Sequence, residues 1–241
     1  MITKGKIIML REYLKKINIE PTEEIINKFN EFSKLLVSWN EKINLTSITE
    51  PKEIEIKHFI DSLTIFETGK IKENMKIIDI GCGAGFPSFP MKFACDSLDI
   101  TMLDSLNKRI NFQNEVTSEI GLSKIKSVHA RAEEAGINPL YREKYDIACA
   151  RAVANLSSLI ELCIPFVKVG GYFIALKGSE IDEEVNNCKN ALGCLGSEIE
   201  DIIHLKLPVY EHERNIIIVK KVKSTDKRFP RKAPKPIKQP L

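Results

Sequence analysis

Apolar positions recur along this chain with two different periods, and the change of period divides it. In "PTEEIINKFNEFSKLLVSWNEKIN" the residues Ile25, Ile26, Phe29, Phe32, Leu36 and Trp39 recur at intervals of three and four, the spacing of one helix face. Thr22 stands where a cap belongs, with Glu23 and Glu24 in the first turn, where the helix dipole favours acids. The spacing predicts a helix from Thr22, with Trp39 and the phenylalanines in the core. A second helical stretch, "PKEIEIKHFIDSLTIFE", starts at Pro51 and stops near Gly69.

From residue 75 the apolar runs shorten to strand length. "KIIDI", "LDITML", "IKSVHA", "YDIACA" and "GYFIAL" alternate with helical runs such as 106–120 and 155–167. That alternation implies right-handed crossovers and a parallel sheet covered on both faces. The last two strands, around "EIEDIIHLKL" and "NIIIVKKV", have no helix-length segment between them, so they pair as an antiparallel ribbon at the sheet edge. The expected architecture is α/β, with a seven-stranded, mostly parallel sheet behind an N-terminal helical extension. It divides into a helical region over 1–72, the sheet domain over 73–223 and a basic, Pro-rich tail over 224–241, which should be irregular or extended.

Composition adds mainly exclusions. The chain has 241 residues, 43% hydrophobic and 29% charged, the balance of a soluble globular protein. No apolar run approaches the ~20 residues that cross a bilayer, and the N-terminus lacks a small-residue cleavage site, so a cytoplasmic protein without membrane contact is expected. The six cysteines show no CxxC spacing and the four histidines are scattered, which suits reduced thiols and no metal. Net charge is only +3, yet residues 220–241 hold nine Lys or Arg against the single acid Asp226. The preceding 219 residues therefore carry 27 bases against 32 acids. A mildly acidic body ends in a strongly basic segment.

The chemistry gathers at "IIDIGCGAGFPSFP", where Gly81, Gly83 and Gly85 follow the first strand and the acid Asp79 is expected at the rim of their loop. Such a turn puts bare backbone against a ligand at the carboxyl end of the strands. A dinucleotide site would need a glycine or alanine three places after Gly83, where Phe86 stands, so pyrophosphate is disfavoured. Asp104 ends the second strand some twenty residues on, where a carboxylate can accept both ribose hydroxyls. The pattern of strand, DxGxGxG, strand and acid is similar to that of S-adenosylmethionine methyltransferases, whose cofactor carries adenosine without phosphates.

The nucleophile can be narrowed too. A pyrimidine carbon needs an attacking cysteine, and an exocyclic amine is usually held by an Asn/Asp-Pro-Pro-aromatic turn after the fourth strand. Neither is present. The fourth strand instead ends "CARAVANLSSL", which places Arg151 at the pocket mouth and reads Cys149 as a small buried hydrophobe. A lone-pair nucleophile such as guanine N7 needs no general base, and positioning would carry the rate.

"NLTSI", "HFIDSL", "DIGCGAGFPSFP", "LDSLNKRINF", "ARAEE", "ARAVANL", "FIALKG" and the terminal "RFPRKAPKPIKQPL" occur in that order over nearly the whole chain. Together they resemble the bacterial 16S ribosomal RNA guanine-N7 methyltransferases, also called glucose-inhibited division protein B or ribosomal small subunit methyltransferase G. The resemblance implies a Rossmann-like class I fold and methyl transfer from S-adenosylmethionine to N7 of guanine 527 in 16S ribosomal RNA, or in the small ribosomal subunit. By position it places Gly81, Phe86, Ala132, Glu133 and Arg151 against the cofactor, beside Gly83, Gly85 and Asp104. It suggests that His58 and Asp61, three apart on one helix face, line the substrate cleft. Lys177 at the end of the fifth strand, with Arg228 and Arg231 of the tail, would hold RNA. A monomer is expected. The rival readings are an RNA-binding module whose glycine loop is only structural, and a methyltransferase acting on another RNA, a protein or a small molecule.

Overall fold

The computed structural model describes residues 8–151 and 154–241. Helix α1 (Ile8–Lys16) leads into α2 (Glu23–Ile43), where the Thr22 hydroxyl accepts from the Ile25 amide as its capping position suggests. A helical run follows: α3 (Pro51–Ile54), a π-helical turn (Glu55–Ile60), α4 (Asp61–Leu63) and a 3-10 turn (Thr64–Thr68). It stops at Gly69, which takes a left-handed φ of 64°. Then come β1 (Lys76–Ile80), α5 (Ser88–Ala94), β2 (Asp99–Asp104), α6 (Asn107–Ile120), β3 (Ile125–His129), α7 (Ala132–Ala135), β4 (Tyr145–Arg151) and α8 (Leu156–Cys163). The chain finishes with β5 (Val167–Lys177), α9 (Asp182–Asn187), α10 (Lys189–Leu195), β6 (Ser197–Lys206), β7 (Glu213–Lys221) and α11 (Lys235–Lys238).

Seven strands among the described residues form one sheet in the order β3-β2-β1-β4-β5-β7-β6. β1 to β5 pair in parallel, while β7 pairs antiparallel with both β5 and β6. The order reverses between β1 and β4, and a crevice opens there at the carboxyl ends of the strands. Ile80, Asp104, Arg151 and Lys177 end their strands on that rim.

Alternation along the strands feeds two cores. On one face Ile77, Met102, Ile147 and Ile174 pack with α1, α2 and the helical run, around Phe29, Phe32, Phe59, Phe89 and Phe93. The other face sets Ile78, Leu103, Ala148 and Phe173 against Leu159, Ile160 and Leu195, and takes in Phe229 of the tail. The N-terminal helices thus share a core with the glycine-loop residue Phe86, whose ring centroid lies 5.3 Å from that of Phe32. Among the described residues no helix is long and apolar enough to cross a membrane.

Three expectations are corrected. The helix read over 155–167 ends at Cys163, because Pro165 sits in a 3-10 turn and β5 has begun by Val167. Trp39 is half-buried rather than core, since its indole N–H reaches out 2.7 Å to Glu115. The tail is neither free nor wholly irregular: it closes on α8 and ends in a helical turn. The cause is Glu161, an acid in the fully buried helix α8, which takes both side-chain and backbone N–H of Arg231. Arg142 adds bonds to the carbonyls of Thr225, Asp226 and Phe229.

Candidate active site

The loop after β1 is held left-handed at Gly81, Gly83 and Gly85, with φ of 70°, 59° and 86°. At Gly85 a Cβ would lie 2.2 Å from the Phe89 ring, so packing alone demands glycine. At Gly83 a Cβ would meet nothing within 4 Å, which leaves the space above the loop open. The buried Gln113 amide fixes the loop from below through the Gly83 carbonyl, at 2.7 Å.

Asp79 is not at the rim. It is fully buried beneath the loop, because it precedes the end of β1, pairs in register with Cys149 of β4 and is roofed by α5. The Ser88 hydroxyl donates to one of its oxygens at 2.7 Å, and the other oxygen has no partner. Burial pushes the carboxyl up to about 7. Asp104 accepts from the amides of Gly83 and Leu106, each at 2.9 Å, and from Arg109 at 3.2 Å. Oδ1 receives one of these bonds and Oδ2 two, so a lone pair of Oδ1 stays open.

Opposite the loop stands an arginine cluster. Arg151 at the end of β4 donates to Asp61 (3.0 Å), the Lys57 carbonyl (3.2 Å) and Nδ1 of His58 (3.3 Å), and its guanidinium lies 4.8 Å from the Phe86 ring centroid. His58 stacks on the same ring at 4.5 Å. Arginine has no acceptor, so His58 Nδ1 must accept and Nε2 carries the proton toward Thr46 Oγ1, 2.8 Å away. Burial first, then the Arg151 charge, lower the imidazole to about 3. The π-helical turn widens the backbone here, and both His58 and Asp61 still face Arg151. Asp61 also takes Nε of Arg214 from β7 at 2.7 Å, so one buried carboxylate joins two guanidinium groups.

These parts wall a cleft of about 600 Å³. Gly81, Gly83, Phe86, His58, Asp61, Arg151 and Lys177 of the sequence-derived set line it. Asp104 lies just behind the loop, 2% exposed, and Ala132 with Glu133 follow β3 on the far side of β2. Lys177 is tied to Glu184 at 2.7 Å and to the Ala154 carbonyl at 2.9 Å. Arg228 is exposed beside Asp226, whereas Arg231 turns inward to Glu161. Arg214, Arg109 and Thr46 are cleft residues that the sequence reading missed. Arg214 lies 153 residues from its carboxylate, and no local pattern announces such a pair.

A family model described as GidB, rRNA small subunit methyltransferase G, matches residues 25–217. The chain is 52% identical over 219 residues to the ribosomal RNA small subunit methyltransferase G of Acetivibrio thermocellus, covering 91% of this chain and 90% of that one. It is 47% identical over 225 residues to the protein of the same name from Clostridium novyi, covering 93% of each. Among solved structures, a SAM-dependent methyltransferase from Aquifex aeolicus shares the fold, with a TM-score of 0.53 at 16% identity over 73% of this chain and 96% of that one. The matched span runs from α2 into β7 and takes in the whole cleft. By sequence over nearly its full length and by the fold that carries the cleft, the chain belongs to the rRNA small subunit methyltransferase G family.

Proposed function

We propose that this protein transfers a methyl group from S-adenosylmethionine to N7 of guanine 527 in 16S ribosomal RNA, with Arg151 steering the base. No side chain acts as base or covalent nucleophile. The observation that carries this reading is a cleft where an open glycine loop faces a fixed pair of arginines while its proton-transfer and thiol groups are disarmed. His58 is neutral, with its Nδ1 lone pair already given to Arg151. The Cys82 and Cys149 thiols are buried, and burial pushes both well above the ordinary thiol range.

The residues suit the cofactor on two counts. A buried Asp79 oxygen without a partner lies under the loop, where a cationic amino acid would be welcome, and Asp104 keeps a lone pair for a ribose hydroxyl. Gly81, Gly83, Gly85 and Phe86 would hold the methionine end, with Ala132 and Glu133 toward the adenine. The bound cofactor supplies an electrophilic methyl on a sulfonium.

N7 already carries a lone pair, so the protein has only to align it. Arg151, stacked on Phe86 and anchored by Asp61, is a preset cation whose position costs no reorganisation, and guanine O6 is a fitting acceptor for it. The Hoogsteen edge is hidden in the deep groove of an A-form duplex, so the guanine must come from a loop that can be splayed open. Lys177, Arg228 and the exposed lysines of the tail face the RNA backbone or the subunit. We take the protein to act as a monomer in the cytoplasm, where small subunits form.

Reduction followed by aniline cleaves RNA at N7-methylguanosine. Ribosomal RNA from cells lacking the gene should lose one such break and regain it with the wild-type protein. A methyl found on a carbon or an exocyclic amine would overturn the reading.

A further inference from the structure

Beyond Arg214, a second cavity of about 370 Å³ opens between the loop after β5 and the ends of β6 and β7. Its size suits one nucleotide or a similar small ligand. Ile181, 4% exposed, closes it below, and Asp182, His204 and Lys206 stand around it. Arg214 lines both this cavity and the methyl-transfer cleft. Its Nε is given to Asp61 and its Nη1 to the Glu213 carbonyl, and Nη2 has no partner among the described residues.

The hydrogen-bonding sense of His204 follows from its neighbour. Asn215, 4% exposed, donates its amide NH2 to the carbonyls of Gly178 (2.6 Å) and Ser179 (3.0 Å). Its oxygen is therefore what His204 Nδ1 meets, so Nδ1 carries the hydrogen and Nε2 is the ring nitrogen left to accept. With the Asp182 carboxylate, the cavity offers two acceptors from different elements. That combination fits a flat heterocycle bearing an amino group. Asp182 and Glu213 repel phosphate inside, Lys206 is paired with Glu211 at 3.5 Å, and the unpaired Nη2 of Arg214 at the wall attracts it.

We propose that this cavity is a subsite for a nucleotide adjoining the methylated guanine. Its amino-bearing base donates to His204 and Asp182, and the phosphate linking it to the guanine crosses the wall at Arg214. The subsite rests on the methyl-transfer reading above and adds a second recognised nucleotide, which makes the enzyme sensitive to what stands beside its target.

The test is steady-state methylation of small ribosomal subunits rebuilt with RNA that is either natural or abasic at one neighbour of the target guanine. His204→Ala and Asp182→Ala are compared with wild type. The second variant leaves the Asn215 bonds untouched, so a loss shared by both is not an effect of a loosened Asn215. On natural RNA each variant should raise KM about fivefold, the factor of one hydrogen bond, with kcat and calorimetric cofactor affinity unchanged. Removing the base at one neighbour should cost wild type more than fivefold, since both hydrogen bonds go with it, and on that RNA wild type and the variants should have the same KM. Variants with wild-type KM on natural RNA, or a penalty that persists undiminished with either neighbour abasic, would overturn the subsite. Wild-type protein that methylates neither subunits nor naked RNA would overturn the methyl-transfer reading itself, and the subsite with it.

Discussion

Asp104 and Asp79 are two carboxylates of one loop with opposite surroundings. Asp104 is met by three donors, and its replacement by Ala strands two amides and Arg109 while removing the ribose acceptor. Cofactor affinity should fall by about 1–3 kcal/mol, and calorimetry showing no change would sink the assignment. Asp79, raised to about 7, is partly protonated at neutral pH. A cationic ligand above it favours the carboxylate, so binding should release a proton and tighten between about pH 6 and 8. Enthalpies in buffers of different ionisation heat would report the release, and Asp79→Asn should abolish it. For stability the sign is the reverse: the contribution of Asp79 is full below the ordinary value of 3.8 and is lost as pH rises through about 7. His58 works the other way, its contribution being present above 6.5 and lost as pH falls toward about 3. Its ring nitrogens should therefore show no titration by NMR between about pH 5 and 8, and a midpoint near 6.5 would refute the buried cluster. The DxGxGxG spacing located this site, but the depth of Asp79 depends on α5 folding over it, which the motif does not encode.

At the scale of elements, the strands were legible because each is a short apolar run between turn residues, and Gly69 and Thr22 marked helix ends by their own chemistry. The π-helical turn left no such mark. The tail was misread for a physical reason: a one-signed, Pro-rich segment resembles a solvated one unless its partner is noticed. That partner was visible as Glu161, the only acid inside "LSSLIELC", a charge that burial makes untenable without a cation. Cutting the chain after Ser224 removes Arg231 and leaves Glu161 buried and alone, at a cost of about 3–5 kcal/mol. Urea denaturation should show the loss, and Glu161→Leu in the truncated protein should recover part of it. An unchanged midpoint in the truncated protein would return the tail to a purely RNA-binding role.

For the whole molecule, the basic end has two populations of charge. Of the nine basic residues from Lys220 onward, four are paired with acids: Lys220, Lys221, Arg228 and Arg231. Among the described residues Lys223, Lys227, Lys232, Lys235 and Lys238 have no such partner, so phosphate can reach these without breaking an ion pair. Changing Lys232, Lys235 and Lys238 to Gln keeps the Arg231 anchor and should flatten the salt dependence of RNA binding by up to ~2 in slope, at ~0.7 for each phosphate no longer neutralised. A slope equal to wild type would show that these three lysines do not meet the RNA. The carboxylate shared by Arg151 and Arg214 also sets an order of events during synthesis. Asp61 leaves the ribosome 153 residues before Arg214, an interval of roughly 8–30 s at ordinary bacterial elongation rates. From the emergence of Gly85 until that of Arg214 the nascent chain has its glycine loop but not both halves of the arginine clamp. A copy still attached to a translating ribosome therefore lacks the assembled site until Arg214 is out, and ribosomal RNA that it meets before then goes unmodified by it.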